Sequence, residues 1–225
     1  MTTETLHPAI TPASRVGDIT DSLPGATEVF RRAGIGFCCG GGETIADAAA
    51  HNGADLAALM TELETLLARQ ANTAPDETMA LIDHILARFH DVHREELEWL
   101  IPLAQKVETV HGDHEEAPLG LTEALIALAD DLDSHMMKEE EILFPMMRTG
   151  GNPMIRHPIN GMRHEHDEAD RLLRAVLKVT RDLALPEGAC RSWTALYTGL
   201  AKFRDDLMEH MRLENDVLFP RYEAA

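Results

Sequence analysis

Apolar residues recur along this chain at the three- and four-residue spacing of amphipathic helices. One such stripe lies in the N-terminal part, at Leu56, Leu59, Met60, Leu63, Leu66 and Leu67. A second runs through Leu125, Leu128, Leu132, Met136 and Leu143. No stretch of any length alternates apolar and polar residues in the manner of a half-buried strand. The pattern therefore predicts an all-α protein.

Four long helical stretches follow residue 76, separated by turns that contain proline and glycine. We expect them at residues 76–110, 119–147 and 158–184, and from the turn Pro186-Glu187-Gly188 to about residue 222. Long helices joined by short loops pack as antiparallel neighbours. The sequence thus predicts an up-down-up-down four-helix bundle over residues 78–225.

A smaller helical domain is predicted at residues 14–70, after a disordered lead at residues 1–13 and before a linker at residues 71–77. It contains the segment Cys38-Cys39-Gly40-Gly41-Gly42, which we expect to form a loop because glycine runs break helices. Thr44 is expected to cap the next helix, and Asn52-Gly53 to end it. A domain of this size is small for stability on its own.

The chain is acidic, with 39 Asp and Glu against 20 Lys and Arg and a net charge of −19. This balance argues against binding nucleic acid or an anionic membrane through a general basic surface. No apolar run reaches the roughly 18–20 residues of a membrane span, and the N-terminus shows no secretory signal. Three cysteines, two of them adjacent, fit a reducing compartment better than a disulfide scaffold. We therefore expect a cytoplasmic location.

The bundle region contains an internal repeat. Residues 135–145 and 210–220 both read His-x-x-x-Glu followed, after three residues, by Leu-Phe-Pro, and the two copies lie 75 residues apart. An upstream histidine in each unit, His90 and His166, has nearly the same spacing, 76 residues. Residues four apart on a helix share one face, so the His and Glu of each copy can reach one site.

The two units together supply four histidines and two glutamates. One interpretation is a bundle that carries His and Glu on its surface by chance. The repeat favours another, because a buried His and carboxylate on an apolar helix face need a partner, and imidazole with carboxylate suits iron, zinc or manganese. We predict terminal ligands His90, His135, His166 and His210 and bridging ligands Glu139 and Glu214, around two metal ions that also share an oxygen bridge.

The chain resembles hemerythrin-like di-iron bundles, and more specifically the bacterial repair-of-iron-centres family. The resemblance covers nearly the whole chain. The motifs that carry it are Phe37-Cys38-Cys39-Gly40-Gly41, Arg88-Phe89-His90-Asp91-Val92-His93-Arg94-Glu95, Ser134-His135-Met136-Met137-Lys138-Glu139-Glu140, Glu165-His166-Asp167-Glu168-Ala169 and Leu213-Glu214-Asn215.

This resemblance implies two iron ions, bridged by carboxylate and oxo groups, in a protein that repairs iron–sulfur clusters damaged by oxidative or nitrosative stress. Damaged iron–sulfur proteins would be its clients, and supply of iron its mode of action. Nitric oxide and oxygen are the small ligands that it implies, and a homodimer the assembly.

The adjacent thiols of Cys38 and Cys39 leave two interpretations open. They are either inert or, as neighbouring glycines would keep them accessible, reactive. The resemblance implies a role in repair, such as receiving nitric oxide, binding iron or docking on a client. Cys190 is expected in the core.

The other histidines are expected not to be ligands. His84 faces away from His90, while His93 lies one turn further on and is placed near the mouth of the site. His164 points away from the site, and Glu165 is a candidate for a polar route to the metals.

Other functions remain open on the sequence. The two irons could reduce nitric oxide to nitrous oxide, since the ligand count leaves room for a diatomic molecule. The chain could instead be an oxygen or nitric oxide sensor, although an oxygen carrier has no need of the Cys-Cys loop. A zinc-only structural bundle is a third alternative.

Overall fold

The computed structural model describes residues 10–23, 25–35, 42–70, 74–151 and 153–223. The chain divides into two compact units, Met1–Asn72 with Cys190–Thr198 and Thr73–Ala189 with Gly199–Ala225. The regular elements of the described residues are helical, and the one β-type pairing among them is an isolated bridge between Arg15 and Thr44. The predicted all-α class is confirmed.

The N-terminal unit contains α1 (Val16–Ser22), α2 (Ala26–Arg32), α3 (Ile45–Asn52) and α4 (Leu56–Gln70). Its core includes Leu59 and Leu63 of the predicted stripe, packed with Phe30 and Ile45. Burying one face of each short helix stabilises elements that would be marginal alone.

Both ends of α3 form as the sequence predicts. The Thr44 hydroxyl oxygen accepts a hydrogen bond from the Asp47 backbone N–H at 3.1 Å. Gly53 ends the helix in the left-handed region, with φ 66°, which glycine adopts without a steric penalty.

Packing in this unit begins before residue 14, within the lead at residues 1–13 that was predicted to be disordered. Ile10 packs against the core, and the Pro12 carbonyl accepts a hydrogen bond from Ala46 N–H at 2.9 Å. The predicted Cys38-Cys39 loop lies outside the described residues, as do residues 1–9 of the lead.

The second unit contains four helical rods. The first is α5 (Thr78–Ile85), π1 (Leu86–His90) and α6 (Asp91–His111), and the second is α7 (Leu121–Lys138), π2 (Glu139–Leu143) and α8 (Phe144–Arg148). The third is α9 (Arg156–Val179). The fourth is α10 (Arg191–Arg212), which belongs to this unit from Gly199 onward, followed by π3 (Leu213–Leu218) and α11 (Pro220–Glu223). This is the predicted four-helix bundle.

The third rod is shorter than expected. It ends at Val179 rather than near residue 184, and Arg181, Asp182 and Leu183 have positive φ angles of 52°, 56° and 61°. Thr180 is the C-terminal cap of the helix; its hydroxyl donates to the Val176 carbonyl at 3.0 Å and accepts from Leu183 N–H at 3.3 Å.

Three of the described rods contain a π-helical turn, which the sequence did not reveal. Backbone N–H groups of Asp91, Phe144 and Phe219 reach the carbonyls five residues back. Such turns are rare and concentrate at functional sites. Pro145 lies in the first turn of α8 and Pro220 begins α11, where a missing N–H is tolerated. The repeated Leu-Phe-Pro thus marks the return to regular α-helix.

The described residues include no helix long and apolar enough to cross a membrane.

Helices α6 and α10 approach closely at Gly199. A Cβ atom there would overlap the buried Trp99 ring and come within 3.0 Å of Leu100 Cδ2. We expect Gly199→Ala to lower the free energy of unfolding by about 1–3 kcal/mol, because overpacking outweighs the roughly 1 kcal/mol that alanine gains over glycine in a helix. Urea unfolding of the metal-free proteins measures the difference.

The matched control is Gly161→Ala. Gly161 is exposed on α9, and no neighbouring heavy atom lies within 4 Å of its built Cβ. This variant should gain up to about 1 kcal/mol. Equal stabilisation by both variants would contradict the close approach at Gly199.

Candidate metal centre

The six residues predicted as ligands converge in the interior of the bundle. His90 ends π1, His135 lies on α7, His166 on α9 and His210 on α10, so each rod contributes one imidazole. Glu139 begins π2 and Glu214 lies in π3. All six side chains are buried, with relative exposures of 0–4%.

The six residues form two overlapping groups that share both carboxylates. One group is His90, Glu139, His210 and Glu214, and the other is His135, Glu139, His166 and Glu214. In each group one ligand atom per residue lies within 4.8 Å of all the others. We call these the first and the second ion position.

The histidines of each position face one another through Nε2. The Nε2 atoms are 3.1 Å apart in His90 and His210, and 3.2 Å apart in His135 and His166. Two nitrogens bound at about 2.1 Å to one ion, and about 90° apart, are separated by about 3.0 Å. The spacing therefore fits two imidazoles on a common ion.

Each glutamate contacts one histidine of each position. Glu139 Oε2 lies 3.4 Å from His90 Nε2 and 3.3 Å from His135 Nε2. The oxygens of Glu214 lie 3.1 Å from His210 Nε2 and 3.0 Å from His166 Nε2. Both Glu139 oxygens are buried without a hydrogen-bond partner, as is Glu214 Oε2. Unpaired buried carboxylate oxygens are costly, and a shared cation satisfies them.

The charges of the centre favour ligation. Burial alone would raise the pKa of Glu214, but the His210 imidazole holds it well below its usual range. Burial and Glu214 also act to raise the pKa of Glu139, yet His135 and His90 bring it below its usual value. Burial lowers the pKa of His135, while Glu139 outweighs this and raises it to about 9. Both carboxylates are thus anionic at neutral pH, and a cation competes with a proton for His135.

Polar side chains contact the ligands from outside, and the sequence analysis did not predict these contacts. His90 Nδ1–H donates to Glu140 Oε1 at 2.8 Å, and His166 Nδ1–H donates to Asn215 Oδ1 at 3.0 Å. Such bonds fix the tautomer that leaves Nε2 free to bind metal. The repeat could have indicated both residues, because positions 140 and 215 are equivalent and each follows a predicted bridging glutamate.

Glu165, predicted to line a polar route, lies beside a ligand. Its Oε2 atom is 3.4 Å from His135 Nδ1, and its Oε1 atom accepts from Lys138 Nζ at 2.8 Å. Glu165 is about one-quarter exposed, so it connects the centre to the surface of this unit.

His93 is not near a mouth, where the sequence placed it. Its side chain is fully buried between rings, with centroids 5.1 Å from Phe203 and 5.4 Å from His210. Neither ring nitrogen has a hydrogen-bond partner, and burial lowers its pKa well below the usual value. His93 lies outside both ligand groups, as predicted.

The remaining candidates lie away from the ligand groups. His84 is buried edge-on against Phe89 and His164 is exposed. Cys190 is half-buried rather than part of the core. The positions of Cys38 and Cys39 lie outside the described residues.

A buried ion network forms next to the centre. Arg88 donates two hydrogen bonds to Asp206, at 2.7 and 2.6 Å. Lys202 Nζ bonds Asp206 at 2.6 Å and Glu96 at 2.7 Å. Burial raises the pKa of Glu96 to about 7 against the opposing charge of Lys202. Arg88 also lies over Phe89, whose ring stacks on His210, so the network supports a ligand ring.

Comparison with known proteins agrees with this geometry. Residues 81–222 match the hemerythrin HHE cation binding domain. Residues 13–67 match ScdA_N, a domain of unknown function.

Full-length relatives match as well. The iron-sulfur cluster repair protein YtfE of Dickeya chrysanthemi (strain Ech1591) is 45% identical over 210 residues, which span 92% of this chain and 95% of the relative. The protein of the same name from Escherichia coli O17:K52:H18 (strain UMN026 / ExPEC) is 44% identical over 214 residues, spanning 93% and 96%. The chain therefore belongs to the hemerythrin HHE cation-binding family and, over nearly its whole length, to the family of the iron–sulfur cluster repair proteins.

Proposed function

We propose that this chain holds two iron ions and uses them to repair iron–sulfur clusters damaged by oxidative or nitrosative stress, by supplying iron to the damaged protein. His90, His135, His166 and His210 would be the terminal ligands. Glu139 and Glu214 would bridge the ions, together with an oxo group. The two overlapping buried groups that share both carboxylates are the observation that carries the proposal.

The ligand set suits iron that must be held and also released. Each position offers two imidazoles and two carboxylate oxygens, a borderline set that binds iron without thiolate. Bound iron would supply redox chemistry and a coordination site open to a small molecule such as nitric oxide or oxygen. Because both glutamates serve both positions, a change at one carboxylate loosens both ions together.

Aromatic and polar side chains around the proposed ligands shield them from water and fix their orientation. Phe144 and Phe219 stack against His90 and His166, with ring centroids 5.7 and 5.9 Å apart. Aromatic walls of this kind exclude water and strengthen the electrostatic contacts inside. Glu140 and Asn215 hold two imidazoles in the tautomer that binds metal.

The N-terminal domain, proposed at residues 14–70, would serve the handover. Its match to ScdA_N and the name of the full-length relatives support a role in repair. Cys38 and Cys39 are proposed as the thiols that take part. A cytoplasmic location and a homodimer stay predictions.

The experiment is transfer of labelled iron. The full chain is loaded with ⁵⁵Fe without oxygen and mixed with a purified [4Fe–4S] protein whose cluster was damaged by peroxide or nitric oxide. We expect label in the restored cluster and recovery of the client, and less of both with Cys38→Ser/Cys39→Ser. Label that stays on the chain while the client recovers from free iron alone would overturn the proposal.

A second measurement separates repair from nitric oxide reduction. The loaded protein is given nitric oxide and a reductant, and nitrous oxide is counted by gas chromatography. We expect at most one turnover per centre. Sustained turnover without transfer of label would favour an enzyme that removes nitric oxide.

A further inference from the structure

The two ion positions have the same types of ligand but differ in the groups that contact those ligands from outside. In each position one histidine has a hydrogen-bonded Nδ1 and the other does not. His90 Nδ1 bonds Glu140 and His166 Nδ1 bonds Asn215. The Nδ1 atoms of His210 and His135 are buried without a hydrogen-bond partner. A carboxylate, Glu165 Oε2, lies 3.4 Å from His135 Nδ1 but makes no hydrogen bond to it. Among the direct hydrogen bonds to ligand Nδ1 atoms, the first position therefore has a carboxylate acceptor and the second has an amide.

Glu140 and Asn215 are equivalent residues of the repeat. They lie 75 residues apart, like His135 and His210, and each directly follows a predicted bridging glutamate. The bonds that they accept also come from equivalent histidines, His90 and His166. One copy of the repeat thus places a charged acceptor where the other places a neutral one.

The charged groups around Glu140 do not fully neutralise it. Glu140 accepts from Arg94 at 2.8 Å, and Arg94 also bonds Asp133 at 3.1 Å, so two carboxylates meet one guanidinium. Arg94 and Glu140 are about one-third exposed and Asp133 about two-thirds, so solvent screens part of their charge. The hydrogen bond to the buried His90 is direct and keeps its effect.

At Asn215 the nearby charges cancel. Arg163 bonds Asn215 Oδ1 at 3.3 Å and its backbone carbonyl at 3.1 Å, and pairs with Glu223 at 3.1 Å. At the remaining histidine of this position, Glu165 lies 3.4 Å from His135 Nδ1 without a hydrogen bond, and Lys138 pairs with Glu165 at 2.8 Å.

The buried network near His210 contains charges of both signs. It contains two cations and two carboxylates, namely Arg88, Lys202, Asp206 and Glu96. Among the contacts described for these residues, the pair with Arg94 is the one that offsets the charge of Glu140.

We propose that Glu140 and Asn215 are positioning residues that make the two ion positions inequivalent. The ion held by His90 and His210 is bound more tightly, and the ion held by His135 and His166 is the one released to a client. A carboxylate that accepts from a ligand imidazole raises the basicity of that ligand, and loss of such a partner typically costs 10–100-fold in metal affinity. The inference rests on the proposed function, because it presupposes two bound ions.

The test is the rate of iron release. The full chain is loaded with ferrous iron without oxygen, and a ferrous chelator in excess is added while absorbance is recorded. We expect two phases of equal amplitude, with rates about 10-fold or more apart. After removal of one equivalent, anomalous scattering at the iron edge should show occupancy remaining at the His90 and His210 position.

Two substitutions, each of which exchanges a carboxylate and an amide, test the proposal most directly. Glu140→Gln should speed the slow phase by about 10-fold and merge the phases, while Asn215→Asp should slow the fast phase. The double exchange should invert the occupancies. Glu141→Gln is the matched control, because Glu141 is an exposed acid of the same π turn and should change neither phase.

The outcomes separate the two proposals. A single phase in the wild type, or first loss from the His90 and His210 position, overturns the inference while labelled iron can still reach a client. Binding of fewer than two ions overturns the proposed function and the inference with it. If Glu140→Gln acts only by weakening the fold, both phases quicken and Asn215→Asp fails to slow release, which contradicts a positioning role.

Discussion

Replacing Glu139 with alanine should reduce bound iron from about two ions per chain to at most one. Glu139 lies in both ligand groups, so its loss leaves three protein ligands at each position. It is fully buried in π2, and both of its oxygens lack any other partner. Removing a ligand shared by two ions weakens both, since each loses charge neutralisation as well as a bond. Metal analysis and the Mössbauer spectrum of protein purified without oxygen measure the effect.

The matched control for this variant is Glu141→Ala. Glu141 belongs to the same π2 turn but is exposed and lies outside both groups. It should keep about two ions per chain with an unchanged coupled spectrum. Helix content by circular dichroism must remain equal in the two variants. Two coupled ions in Glu139→Ala would refute the bridging role proposed for Glu139.

Asp206→Ala should cost about 3–5 kcal/mol of unfolding free energy. Asp206 receives two hydrogen bonds from Arg88 and one from Lys202, and the three side chains are only 10–12% exposed. The opposing charges of Arg88 and Lys202 overcome the effect of burial and hold the pKa of Asp206 below its usual value. Without it, Arg88 loses both of these hydrogen bonds and Lys202 keeps its contact with Glu96. Leaving buried charge uncompensated is one of the few single changes that destabilise a domain this strongly.

Urea unfolding of the metal-free proteins gives this number without a contribution from bound ions. Asp170→Ala is the comparison, because it removes an exposed i,i+4 pair with Arg174 at 2.7 Å. That variant should lose no more than about 0.5 kcal/mol. Equal effects in the two variants would mean that the Arg88 and Asp206 pair is solvated and adds little.

Much of the centre could be predicted from the chain because the repeat is periodic. The spacing of His135 and Glu139, repeated at His210 and Glu214, fixes a shared helix face wherever the helices lie. The leucine stripe does the same for the core, and Leu125, Leu128 and Leu132 are all buried. Thr44 and Gly53 were predictable because their end signals act through local backbone geometry.

Other features depend on contacts between distant segments, so they escaped prediction. His93 looked like a residue at the mouth, yet Phe203 of another rod covers it. The partner of Arg88 lies 118 residues further along the chain. Each π turn contains one of the predicted ligands, His90, Glu139 or Glu214, and the apolar periodicity of the sequence does not show the extra residue of such a turn.

By itself the sequence determined the helical class, the repeat and the chemical types of the six residues, since periodicity and side-chain chemistry are local properties. The tertiary structure decided which histidines pair, because His90 meets His210 and His135 meets His166 across different rods. It also decided that each glutamate reaches both pairs and that Glu140 and Asn215 bond ligand rings. Those distances depend on how the rods pack, and no spacing along one helix encodes them.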